Sequence, residues 1–128
     1  MIFFVILLLI FILIINIIIS NSKNENFGAD PNKLIYLNDI DAVCAGCKDF
    51  NPLWTNIENE VKNNYLYYNF ITTKYNIDTD KDGKAIATAG KINTPPAIVF
   101  KRNDKYTTYS NKSKDINVIL EWARNLGS

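Results

Sequence analysis

Residues 43–54 read VCAGCKDFNPLW, and both cysteines of the 128-residue chain lie in this stretch, Cys44 and Cys47, parted only by Ala45 and Gly46. A structural disulfide stabilises a protein mainly by closing a long loop in the unfolded chain, and the effect grows with loop length. A bridge across so short a loop does little of that. The spacing therefore points to redox exchange, to metal binding or to coincidence. Downstream, Phe50, Leu53, Trp54, Ile57 and Val61 recur at intervals of three and four. That spacing predicts an amphipathic helix from Cys47 to about Asn63, its apolar stripe turned to the core. Pro52 lies inside it, removes one backbone hydrogen bond and predicts a kink.

The surrounding segments alternate in type. KLIYLN (33–38) is a short apolar run suited to a buried strand, and YLYYNFITTKYNID (65–78) is rich in aromatic and β-branched residues and predicts a second. KAIATAGKI (84–92) predicts a short helix. AIVFK (97–101) and KYTTYS (105–110) predict an antiparallel hairpin across Arg102–Asp104. DINVILEWARNLG (115–127) predicts a closing amphipathic helix, with Asp115 as N-cap and Gly127 as its stop. Strand, helix, strand, helix, hairpin, helix is an α/β layout: a four-stranded mixed sheet flanked by helices.

Composition removes several chemistries. The chain has no histidine, which excludes Ser-His, Cys-His and His–metal arrangements and the usual general base near neutral pH. A net charge of +1 gives no electrostatic footprint for nucleic acid. No cofactor is expected. DTDKDG (78–83) matches the opening of a calcium-binding loop, but the closing bidentate position is Ala89, so a solvated turn ahead of the next helix is the better reading.

The N-terminus is a separate piece. Residues 2–19, IFFVILLLIFILIINIII, are apolar except for Asn16. As a helix they span about 27 Å at ~1.5 Å per residue, close to a bilayer core. The run exceeds the usual signal-peptide core, which favours a transmembrane signal-anchor. A cleaved signal peptide is the alternative, with Ser20 and Ser22 as a small-x-small site and Lys23 opening the mature chain. Residues 20–32 read as a polar linker and 33–128 as the folded domain. Lys23 and Lys33 follow the run and none precedes it, a count that favours a cytoplasmic domain. The paired cysteines and the NKS sequon at Asn111 favour a lumenal or extracytoplasmic one.

Cys-x-x-Cys ahead of a helix in a β-α-β pattern reads as a thioredoxin-like redox motif. At a helix N-terminus, unpaired N–H groups and the helix dipole stabilise the Cys44 thiolate, which is the nucleophilic form. Cys47, one turn further on, is placed to resolve a mixed disulfide. CAGCKDFNPLW resembles the active-site segment of thioredoxins and protein disulfide isomerases: Lys48 follows the second cysteine, Phe50 stands three after it and Pro52 five after it. Trp54 resembles the isomerase version. YNID (75–78) resembles the end of the next thioredoxin strand, and INTPPAIVFK (92–101) resembles the segment bearing the family's cis-proline. The likeness spans about residues 33–126.

The resemblance implies a minimal thioredoxin-like fold with a redox-active Cys44–Cys47 disulfide. It implies Cys44 as nucleophile, Cys47 as resolving thiol, and a substrate face built from Ala45, Gly46, Thr94, Pro95 and Pro96. Counting from Ile92 puts the cis-proline at Pro96, the favoured register; counting back from Phe100 puts it at Pro95. The family's buried carboxylate falls at Asn38, which leaves Asp39, Asp41 or Lys48 as candidates for the proton relay. Val43 replaces the tryptophan that usually precedes the first cysteine. Implied partners are cysteine-containing client proteins and an upstream redox partner, met by a monomer held to a membrane through residues 2–19. The reading that results is a membrane-tethered thiol–disulfide oxidoreductase. A non-catalytic thioredoxin-like binding module is the main alternative. A metal centre shared by two chains is a third, since one chain supplies only two thiolates.

Overall fold

The computed structural model describes residues 1–22 and 30–128, with side-chain surroundings described for all of these except residues 18–22. β1 (Lys33–Asn38) is the central strand. β2 (Ile71–Asn76) pairs with it in parallel, Lys33 opposite Ile71. β3 (Ala97–Arg102) pairs with its other edge antiparallel, Leu34 opposite Phe100, and β4 (Lys105–Thr108) returns along β3. The sheet order is β2-β1-β3-β4. A strand covered on both faces should be apolar throughout rather than alternating, and Leu34 to Leu37 are all buried.

Side chains of β1 part to opposite faces with a period of two. Leu34 and Tyr36 join Phe50, Trp54, Ile57 and Val61 of α2 (Ala45–Asn63) and Ile119, Leu120 and Ala123 of α5 (Ile116–Gly127). Ile35 and Leu37 meet Val99 and Ile86, the latter from α4 (Lys81–Ala89), on the other face. Asp115 caps α5, its Oδ1 accepting from the Asn117 N–H at 2.8 Å.

Three sequence expectations shift. The strand expected over 65–78 begins only at Ile71, because Tyr65–Tyr68 form a helical turn, α3. Asn69 ends that turn in the left-handed region at φ 57°, which asparagine tolerates better than most residues. The helix expected over 84–92 runs instead from Lys81 to Ala89, so DTDKDG supplies its first turn. Gly83 permits this placement: a Cβ there would stand 2.6 Å from the carbonyl oxygen of Asn76. The helix expected from Cys47 starts earlier, at Ala45, with Cys44 as its N-cap.

The apolar N-terminus is helical as α1 (Ile2–Ser22). Among the described residues no helix is long and apolar enough to cross a membrane, so the expected transmembrane segment over residues 2–19 is not shown. Described side chains of α1 end at Ile17, about 24 Å along the axis at ~1.5 Å per residue, against a core of about 30 Å. All of them are exposed. Asn16, the polar residue in the run, donates from Nδ2 to the Ile12 carbonyl at 3.0 Å and so pairs its amide within the helix. The linker expected over 20–32 lies largely outside the described residues.

Candidate active site

Cys44 closes the N-terminus of α2 and is bonded to Cys47, with Cα atoms 5.2 Å apart, inside the normal range for a disulfide. The Cys44 Sγ also accepts from the Cys47 N–H at 3.1 Å, one of the orphan donors of a helix start. A turn holds the approach to the helix: the N–H groups of Val43 and Cys44 both donate to the Ile40 carbonyl, at 3.1 and 3.0 Å. Cys47 is fully buried and Cys44 is 5% exposed, so access to the bridge is from the Cys44 side. Ile40 and Val43 stand exposed beside it and give the bridge an apolar rim.

The structure brings the second proline-bearing segment to this helix start. The Pro95–Pro96 bond is cis. Pro96 packs directly on Gly46, where an added Cβ would lie 3.0 Å from the proline Cδ. Glycine here is thus a matter of space: any side chain would push the proline ring from the helix. Ala45 is exposed, Gly46 and Pro95 are half-buried, and Thr94 and Pro96 are exposed. Thr94 and Pro96 share the wall of a groove of about 610 Å³ that also touches Phe50 of α2.

The relay candidates are only partly gathered. Asn38 is half-buried at the end of β1, and its carbonyl accepts from the Ile77 N–H at 2.9 Å. Asp39 accepts from the Ile40 N–H and lies beside Asp78, whose carboxyl is held above its usual range by the hydrogen bond with Asp39 and by that residue's charge. Lys48 is exposed on α2. Asp41 is the candidate that connects inward. Its Oδ1 accepts from Asn51 Nδ2 at 3.3 Å, and Asn51 Oδ1 accepts from the Tyr36 hydroxyl at 2.9 Å. The same hydroxyl lies 3.4 Å from the Cys47 carbonyl oxygen.

Tyr36 and Asn51 were not expected at the site. The signal for Tyr36 was its place on a strand with no solvent-facing side, since a buried tyrosine hydroxyl must find a partner. Burial, and then the Asp41 charge, push its phenol up to about 12. Near neutral pH it is therefore a hydrogen-bond donor and accepts no proton. No charged side chain is buried among the described residues, so Cys47 has no carboxylate beneath it.

Solved structures share this arrangement of sheet and helices. The J-Trx1 fragment of ERdj5 superposes with a TM-score of 0.61 at 14% identity, over 78% of this chain and 45% of that one. The first two thioredoxin domains of Eps1p from Saccharomyces cerevisiae give 0.61 at 18% identity, over 75% and 35%. Human ERp44 gives 0.58 at 16% identity, over 76% and 28%. The fold is thioredoxin-like. At these identities the likeness is one of fold alone, and the chain spans less than half the length of each of these structures. No protein-family model and no curated protein matches the sequence. At the helix start of this thioredoxin-like domain stand Val43, the Ala45-Gly46 dipeptide and, against the Cys47 carbonyl, the Tyr36 hydroxyl.

Proposed function

We propose that the chain is a membrane-tethered thiol–disulfide oxidoreductase that forms, reduces or isomerises disulfides in cysteine-containing client proteins and exchanges electrons with an upstream redox partner. The observation that carries the reading is the Cys44–Cys47 bridge at the start of α2, with Pro96 seated on Gly46 beside it. In the oxidising direction a client thiolate attacks Cys44 Sγ. The Cys44–Cys47 bond breaks, a mixed disulfide forms, and Cys47 leaves as a thiolate that takes up a proton. A second client thiolate then attacks the client sulfur and Cys44 leaves, so the client loses two electrons and the dithiol gains them. Run backwards, the same steps reduce a client. The direction follows from the reduction potential, where 30 mV corresponds to about 1.4 kcal/mol. Thiol–disulfide exchange by the full chain, followed by measurement of that potential, tests the reading. An inert bridge selects the binding module, which the missing carboxylate beneath Cys47 favours.

In this proposal residues 2–19 hold the protein in a membrane as a monomer, with the redox domain on the lumenal or extracytoplasmic side. The support is the apolar run of residues 2–19 in α1, broken only at Asn16, whose amide pairs within the helix. Full-length protein is expected to stay in the membrane pellet through an alkaline carbonate wash. A wholly soluble chain starting near Lys23 would select the cleaved-signal alternative.

Proton supply gives a second test. With Asn38 in place of the family's carboxylate, resolution by Cys47 is expected to be slow, and Asn38→Asp to speed turnover near neutral pH. An unchanged rate, read by stopped-flow, would mean either that Asp39 or Asp41 already serves or that the family's carboxylate does not fall at Asn38.

A further inference from the structure

The groove beside Pro96 is basic. Lys91, Lys112 and Lys114 line it, and among the described residues no carboxylate does. The nearest acid in sequence, Asp115, caps the Asn117 N–H of α5, and its charge also reaches Tyr109 on the groove wall. The backbone that carries two of these lysines has a fixed course. Lys112 and Lys114 flank Ser113 in a segment without regular structure, yet three contacts fix its course: Asn111 Oδ1 accepts from the Ser113 N–H at 2.9 Å, Ser113 Oγ from the Asp115 N–H at 3.2 Å, and the Tyr109 hydroxyl donates to the Ser113 carbonyl at 3.0 Å. Lys91 occupies the left-handed region at φ 53°, which favours glycine, although Gly90 directly before it is right-handed at φ −85°.

From these placements we propose that the groove selects client segments carrying acidic residues next to the reacting cysteine. The inference rests on the oxidoreductase reading and names its substrate class. A client strand that meets the bridge at Pro96 continues over the groove floor of Phe50 and Ile98 and brings its flanking side chains to the three lysines. Attraction between exposed charges raises encounter and affinity together, and salt screens it beyond a Debye length of about 10 Å at 0.1 M, a length that shortens as salt rises.

The test uses the full chain, unglycosylated, oxidised and held in a non-ionic detergent. It is mixed with three reduced dithiol peptides that differ only in the pair of residues flanking the cysteines: Asp, Asn or Lys. Flanking charge alters a peptide's own thiol reactivity, so the quantity read is the ratio of the wild-type second-order rate constant for this single turnover to that of the Lys112→Glu/Lys114→Glu variant, in which that effect cancels. For the Asp peptide this ratio is expected to exceed that for the Lys peptide by about tenfold at low salt, and to approach it at 0.5 M. Lys112→Gln/Lys114→Gln should fall between, and oxidation of the small neutral dithiol dithiothreitol should be the same in all three proteins. Equal ratios for the three peptides, with dithiothreitol still oxidised, overturn the groove assignment alone. No reaction with dithiothreitol overturns the oxidoreductase reading beneath it.

Discussion

Cys47→Ala is expected to trap client proteins as stable mixed disulfides through Cys44, while Cys44→Ala traps few or none. The asymmetry comes from the helix start. Cys44 is the N-cap and the only one of the pair with any exposure, so an incoming sulfur reaches it first. As a thiolate it sits at the positive end of α2, where the unpaired N–H groups favour the charged form. Cys47 is fully buried and one turn further along, where it meets only a sulfur already delivered to Cys44. Removing the resolver leaves the adduct without its escape route, because no other cysteine exists in the chain. Turnover should fall to background in both variants, and non-reducing electrophoresis separates them. Equal trapping would overturn the assignment of roles, and trapping by neither would favour the binding module.

Trp54→Ala should be the most damaging substitution in the fold. The indole is 1% exposed and packs 5.3 Å, centroid to centroid, from the Tyr36 ring, which in turn lies 4.9 Å from Phe50. These three side chains seat α2 on β1 directly below the bridge. Truncating a buried tryptophan costs about 3–5 kcal/mol. For a domain of this size each kcal/mol lowers Tm by roughly 4–8 °C, so a drop of at least about 12 °C is expected in a thermal melt followed by circular dichroism. Trp54→Phe is the control. The indole Nε1 is buried and has no hydrogen-bond partner among the described residues, and an unmade bond of that kind costs about 1–3 kcal/mol. Its removal offsets much of the lost volume, and the Phe variant should stay within about 1.5 kcal/mol of wild type. A Phe variant as unstable as the Ala one would mean that ring size, not burial of the N–H, governs this seat.

The order of strands and helices along the chain and the helix after the cysteines were legible because their signals are local. Leu34 to Leu37 form an unbroken apolar run, and the Phe50–Val61 stripe sets apolar residues three and four apart. α3 was not legible: Tyr65–Tyr68 has the aromatic composition of a strand, and only tertiary contacts decide otherwise. Its Tyr68 hydroxyl bonds to Glu60, and its Tyr67 ring takes the Arg124 guanidinium at 4.3 Å. The early start of α4 follows from a contact between Gly83 and the end of β2, which no local pattern encodes. The pair of cysteines and the prolines could be read as one site only through the family resemblance. The polar chain from Asp41 through Asn51 to Tyr36 joins three segments whose spacing carries no motif, so it emerges only in three dimensions.

β1 also has a direction, and the direction carries a consequence for reach. The chain comes into the domain at Lys33 and leaves the strand at Asn38, on the side where Cys44 follows. The five steps from Lys33 to Asn38 place these ends about 17 Å apart. If the protein is tethered through its N-terminus, the reactive bridge is carried on the far pole of the domain, facing outward from the point of attachment. Cysteines lying flush with the anchoring surface then stand below its working height, while those on tall or freely diffusing clients meet it without hindrance. Distance from the tether would thus sort clients before any side chain of theirs is read.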